Sequence, residues 1–259
     1  MKTYCIWTLT AVLSFGGLAP AVVAVDTRGS GGLIISEVVD ATLPGGLPKF
    51  IELTNCGAGN IDLSQYSIGN YNNGGTALGG NASTILSGTL TPGESYVVSY
   101  ENNDAPGTGT FFDTYGVDPD NLDLGAFFNG DDVLALFLGQ GTGDGSDATL
   151  VDIYGVLGVD GSNQTWEYTD SYVTRSAAAT PNPTFTESEW TIAGVDALED
   201  AGGDTVELAL IQAETTPGVH TCFGAATAVP AVGNLGKAAT AGFVFLMIGV
   251  ALGTRRIFG

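Results

Sequence analysis

Three short apolar runs, separated by turn residues, set the strongest limit on what this chain can fold into. Leu33-Ile34-Ile35-Ser36-Glu37-Val38-Val39 leads through the turn region Leu43-Pro44-Gly45-Gly46-Leu47-Pro48 into Lys49-Phe50-Ile51-Glu52-Leu53-Thr54-Asn55. A Gly-rich break then precedes Ile61-Asp62-Leu63-Ser64-Gln65-Tyr66-Ser67-Ile68. Runs rich in β-branched and aromatic residues, bounded by Gly, Pro or Asn, read as strands joined by turns. In the second run Ile51 and Leu53 share one face, and Glu52 and Thr54 share the other. That alternation predicts a half-buried antiparallel strand with its apolar face on the core and its polar face in water.

The pattern continues. Ser95 to Tyr100 alternates, and Val133 to Leu138 is almost continuously apolar, as in a strand buried on both faces. Further strands are expected at Leu150 to Val156, Gln164 to Tyr168, Trp190 to Ile192 and Val206 to Ile211. Loops are expected at Asn70 to Ala82, Glu101 to Gly109, Gly139 to Asp147 and Ser176 to Pro183. Gly is 39 of 259 residues, roughly twice the usual share of about 7%. Without a fixed period this means many tight turns, and no internal repeat points to a solenoid or propeller. No middle stretch keeps a long 3.6-residue period, so helix should be minor. Many short strands with Gly/Pro turns imply an antiparallel β-sandwich.

The series Ile35-Ser36-Glu37-Val38, Phe50-Ile51-Glu52-Leu53-Thr54-Asn55 and Ile61-Asp62-Leu63-Ser64 with Tyr66 and Ile68 resembles the opening of the lamin-tail domain. Leu90-Thr91-Pro92-Gly93-Glu94-Ser95-Tyr96-Val97-Val98 and Asn129-Gly130-Asp131-Asp132-Val133-Leu134-Ala135-Leu136 resemble its middle strands. Arg175, Pro181, Phe185, Ser188-Glu189-Trp190 and Gly218-Val219-His220-Thr221 resemble the close of longer bacterial versions. The resemblance spans residues 32–222. It implies an all-β, immunoglobulin-like antiparallel sandwich in a secreted context, and it names no reaction.

Both ends read as sorting segments. Residues 1–24 carry an early charge (Lys2), an apolar run from Ile6 to Ala21 and small residues before Val25, the pattern of a cleaved secretory signal. Residues 223–234 form a linker containing Val229-Pro230. Residues 235–259 hold an apolar run from Ala238 to Gly253, expected as a transmembrane helix with Arg255 and Arg256 on the cytoplasmic side. A V-P motif, an apolar helix and terminal arginines resemble the C-terminal tails processed by exosortase-type enzymes. Val229 and Pro230 depart from the commoner Pro-Glu-Pro form of that motif. A plain tail anchor is the alternative.

Charge narrows the partners. All 28 acidic residues lie between Asp26 and Glu214, against Arg28, Lys49 and Arg175, a balance of −25. Such a surface repels phosphate backbones, so nucleic acid is not an expected partner. A solubilising role is the plain reading of the charge, and cation binding the sharper one.

Few residues stand out for chemistry. Cys5 leaves with the signal, and the remaining pair, Cys56 and Cys222, reads as one disulfide of an exported chain. It would close nearly the whole domain, and the chain-entropy model gives such a loop roughly 4 to 5 kcal/mol. Three cysteines and one histidine do not make a conventional four-ligand structural zinc site. His220 has no Gly-x-Ser-x-Gly elbow to serve and is expected as a surface or packing residue. Glu37 and Glu52 are expected on neighbouring strands, where a carboxylate pair invites a glycosidase-like reading. With 28 acids, structural use is the simpler account. Asp118, Asp120 and Asp123, then Asp131 and Asp132, then Asp144 and Asp147, lie in turns that offer the oxygens calcium takes, without an EF-hand pattern. Asn81 and Asn163 fit the glycosylation sequon, which carries no weight beside bacterial-type sorting signals.

The expectation is therefore a non-catalytic, exported module of the cell surface or extracellular matrix, structural or adhesive. Its partners would be the export and sorting machinery, and an extracellular polysaccharide or surface protein, with calcium as the only cofactor suggested. The rival readings are an accessory part of a secreted hydrolase or nuclease system, and a metal-dependent enzyme.

Overall fold

The turn Pro44-Gly45-Gly46 closes a hairpin between β1 (Leu33–Leu43) and β2 (Leu47–Asn55), with the Gly46 amide bonded to the Leu43 carbonyl. The computed structural model describes residues 32–100, 105–122 and 128–223. In chain order the elements after this hairpin are β3 (Ile61–Asp62), β4 (Tyr66–Tyr71), β5 (Thr84–Ile85), β6 (Thr89–Leu90) and β7 (Ser95–Tyr100). Then come helix α1 (Thr110–Tyr115), β8 (Asn121–Leu122), β9 (Val133–Leu138), β10 (Thr149–Tyr154), β11 (Ser171–Arg175), β12 (Trp190–Ile192) and helix α2 (Asp204–Glu214). The run from Ile61 to Ile68 is broken by a short 3-10 turn at Leu63–Gln65, capped by the Asp62 carboxylate.

Two sheets carry the architecture. One has the order β12-β11-β1-β2-β7-β8 and the other β10-β9-β4-β5, while β3 and β6 pair separately. Every pairing is antiparallel except the short β7–β8 contact. Between the sheets lie Leu33, Ile35, Val38, Ile51, Leu53, Ile68, Val98, Leu134, Leu136, Ile153 and Val173, all buried. A β-sandwich with a continuous apolar core is thus in place, as the strand pattern implied.

The expectation of a half-wet β2 fails. Every residue of β2 is buried, including Lys49, Glu52 and Thr54. The outer face of the larger sheet is covered by α1 and α2, and Val39, Ala41, Phe50 and Val97 pack there with Phe111, Leu198 and Ile211. Phe50 meets the edge of Phe111 at 5.5 Å and 87°. Alternation tells which residues share a face, and a distant segment decides whether that face sees water.

Two expected strands are not strands. Val206 to Ile211 lies inside α2, where Glu, Leu, Ala and Gln favour helix and Ile211 points into the second core. Gln164 to Tyr168 forms turns, and its aromatics join a cluster in which Tyr154 meets Trp166, Tyr168, Phe185 and Trp190 edge-on. The Tyr154 hydroxyl donates to the Trp166 carbonyl at 2.5 Å, which fixes that turn to the end of β10. Among the described residues no helix is long and apolar enough to cross a membrane. The signal segment, Asp123, Val229, Pro230 and the tail with Arg255 and Arg256 lie outside the described residues.

Candidate functional site

A β-bulge assembles the most unusual chemistry of the domain. Ile35 pairs with Leu53, but the next pair is Glu37 with Glu52, so Ser36 is the extra residue. The shift brings Ser36, Glu37 and Glu52 together on the outer face. The Ser36 hydroxyl donates to Glu52 Oε1 at 2.5 Å and itself accepts from Thr54 at 2.7 Å. Glu37 is 2% exposed and Glu52 1%.

Their remaining oxygens are taken by the segment after α2. The Thr216 amide is shared between the two Glu37 carboxyl oxygens at 3.1 and 3.2 Å. The Gly218 amide donates to Glu52 Oε2 at 2.7 Å. Gly218 has φ +83°, a left-handed conformation that lets the strap turn there. At its start, Thr215 is bonded to the Tyr115 hydroxyl at 2.6 Å. At its end, the Phe223 amide reaches the Ala177 carbonyl at 2.6 Å. The Cys56–Cys222 disulfide bonds the strap to the end of β2 across 166 residues, with Cα atoms 5.4 Å apart. This pair was legible in the sequence, and the backbone beside it is tight. Gly32 has φ +70°, and a Cβ there would lie 2.4 Å from the Gly57 nitrogen.

The strap leaves a cleft of about 290 Å³ whose lining includes Ser36, Glu37, Glu52, Arg175, Thr216 and His220. Burial first, and then the facing Glu52 carboxylate, push the Glu37 carboxyl up to about 8. Burial raises Glu52 as well, against the hydrogen bonds from Ser36 and Gly218. At neutral pH the pair therefore keeps a proton. His220 is half-buried in this cleft. Its imidazole is held below its ordinary value by burial and by the Arg175 charge, and Nε2 has no hydrogen-bond partner.

Beside the cleft, Arg175 links the two sheets. It reaches both Asp152 oxygens at 3.2 and 3.3 Å and Glu189 at 2.7 Å, and its guanidinium lies 4.6 Å from the Trp190 ring centre. Asp152 also accepts from the amides of Ile35 and Asn182. Even so, burial raises this carboxyl to about 6. A lone acid inside Leu150-Val151-Asp152-Ile153-Tyr154 was the available sequence signal for this buried ion pair.

The acidic turns expected to hold calcium are spread over separate loops. Asp118 accepts from the Gly107 amide at 2.7 Å and Asp120 from the Val97 amide at 2.8 Å. Asp131 accepts from the Ser162 hydroxyl, while Asp132 accepts from the amides of Asn129 and Asn73. Asp144 accepts from the Ser146 amide, and Asp147 from both donors of Thr142. Each is a turn-forming contact of the Asx kind or a longer bond that ties a loop to another loop or, for Asp120, to β7. Among the described residues, the carboxylates that do meet in a threesome are Asp170, Asp196 and Glu199, which the sequence did not single out.

The family model of the lamin tail domain matches residues 26–157, half of the chain, from before the hairpin through β10. The chain belongs to the lamin tail domain family. In this lamin tail domain the matched residues supply both sheets except β11 and β12. The strap, α2 and Arg175 come from residues beyond the match. A crystal structure of a DUF4876 family protein from Bacteroides thetaiotaomicron is similar over 56% of this chain and 62% of its own, at 11% identity and a TM-score of 0.35. This chain therefore spans less than two thirds of that structure. No curated protein matches. The lamin tail domain is a non-catalytic, immunoglobulin-like family.

Proposed function

We propose that this lamin tail domain is an exported binding or structural module of the cell envelope or extracellular matrix, stabilised there by its disulfide. The observation that carries the reading is Cys56–Cys222, because such a bond persists in oxidising compartments and is rare in the cytosol. The charge distribution supports it. Lys49 and Arg175, the Lys and Arg side chains among the described residues, are buried against Asp40 and against Asp152 with Glu189. The surface left to a partner is acidic, which favours a polysaccharide or a protein over nucleic acid. In this reading the tail beyond Pro230 serves sorting, with Arg255 and Arg256 on the cytoplasmic side until it is removed.

A second reading, acid–base chemistry at Glu37 and Glu52, draws on the proton that burial keeps on Glu37 beside Glu52. Against it, the strap amides and Ser36 already occupy these oxygens, which favours a structural role.

The test is fractionation of cells producing the full chain, with alkylation and mass spectrometry of each fraction. Protected Cys56 and Cys222 in surface or extracellular fractions, with the last peptide ending near Pro230, are expected. Free thiols in a cytosolic chain overturn the export reading. An exported chain intact to Gly259 replaces sorting by a permanent tail anchor.

A further inference from the structure

At the end of the strap two sulfurs and a ring nitrogen converge: ligand atoms of Cys56, His220 and Cys222 all lie within 4.8 Å of one another. A second observation comes from the imidazole. Its buried Nε2 has no hydrogen-bond partner, whereas buried polar atoms in folded proteins are nearly always satisfied. We propose that the dithiol form of this domain binds a divalent ion of the zinc class through the Cys56 and Cys222 thiolates and His220. Two thiolates and one imidazole suit a borderline-soft ion, and three protein ligands leave one tetrahedral position open.

The sulfurs cannot ligate while bonded to each other, so the site belongs to the reduced protein. A dithiol reductant breaks the S–S bond, leaves two cysteine thiols and becomes a cyclic disulfide. Binding of the ion then releases the two thiol protons. The site needs its ligands to stay together once the covalent bond is gone, and the non-covalent anchors provide this. Thr216 and Gly218 remain bonded to Glu37 and Glu52, and Phe223 to the Ala177 carbonyl. On the other side, the Cys56 amide is held by the Gly32 carbonyl at 2.9 Å and the Gly57 amide by Asn55. The Arg175 charge facing His220 opposes an incoming cation as it opposes a proton, and the paired Asp152 and Glu189 carboxylates offset part of that repulsion. This inference goes beyond the exported-module reading and does not depend on it.

The experiment uses the full chain, reduced with dithiothreitol, desalted without oxygen and titrated with Co²⁺, with Zn²⁺ as competitor. One Co²⁺ per chain is expected, with a thiolate-to-cobalt charge-transfer band and the d–d bands of a tetrahedral ion, both abolished by Zn²⁺. The oxidised chain should show neither. Changes to groups behind metal ligands alone cost roughly 10–100-fold in affinity, so His220→Ala should weaken binding by at least about tenfold. His220→Ala also leaves the disulfide available, so its oxidised form controls for folding. The proposal is overturned by a reduced chain without these bands, by equal binding in His220→Ala, or by equal binding in the oxidised chain. Loss of native circular dichroism on reduction overturns it too, because the site requires the strap to stay in place.

Discussion

The two faces of the β1–β2 hairpin are equally dry, but at the β1 bulge the outer face is buried by a means opposite to that of the inner one. The inner face sets Ile35, Val38, Ile51 and Leu53 against the second sheet and gains from removing apolar surface from water. The outer face, around Glu37 and Glu52, sets carboxyl groups beneath a strap and depends on hydrogen bonds to hold them. The inner face of the hairpin carries no titrating side chain and tolerates shape-conserving change. The outer face carries a desolvation cost offset only while its protons and amide donors are in place. One hairpin thus combines a non-directional core with a directional, titratable lock.

The largest effect is expected on the inner side. Ile51 is fully buried at the centre of the sandwich, and Ile51→Ala should cost about 2–5 kcal/mol through lost transfer energy and a cavity. Chemical denaturation at pH 5 and at pH 8 should give the same loss, since no titrating group is removed. A loss that changes strongly with pH would mean that the two faces are coupled.

Glu37 sharpens the contrast from the other side. Its carboxyl is raised from about 4.5 to about 8, so the folded state holds a proton that the unfolded chain gives up. Its contribution is full below about pH 4.5 and is lost as pH rises through about 8. Asp152 and Asp132, both raised to about 6, act with the same sign over a lower window. Glu52, facing Glu37, and Asp170 are also raised. Glu37→Gln replaces the protonated carboxyl by a neutral isostere that still accepts from Thr216. It should match the parent near pH 5 and exceed it at pH 8 by on the order of a few kcal/mol. An unchanged slope between pH 6 and 8 would show that Glu37 is not the group holding the proton.

The inner face was legible in the sequence, and the outer face only in part. Ile51 and Leu53 announced the core by alternation, and Cys56 with Cys222 announced the staple by being the pair left once residues 1–24 are read as a signal. Glu37 and Glu52 were placed as neighbours, but their environment was not, because the cover comes from residues 204–223, far along the chain. That cover was itself disguised. Val206 to Ile211 is apolar enough to pass for a strand, and only Glu207 and Ala209, with Gln212 just beyond, signal the helix found there. The acids Asp170, Asp196 and Glu199 meet through loop geometry that leaves no regular spacing.

The smallest effect is expected on the surface, where neither face contributes. Asp144 and Asp147 are exposed, and their carboxyls lie below the usual carboxylate range because of hydrogen bonds from Ser146 and from Thr142. These oxygens already have donors, and a calcium ion would have to share them. Calcium binding at the acidic turns therefore stands as a proposal with a modest expected signal. An ion that binds only the folded state stabilises it by mass action, whereas sodium chloride only screens the excess negative charge. Melting temperatures in calcium chloride should accordingly exceed those in sodium chloride at equal ionic strength. Asp147→Asn, which keeps an acceptor for Thr142 but removes the charge, should narrow that gap without altering the pH slope set by Glu37. Identical melting curves in the two salts would leave hydrogen bonding to the turn as the whole role of these residues.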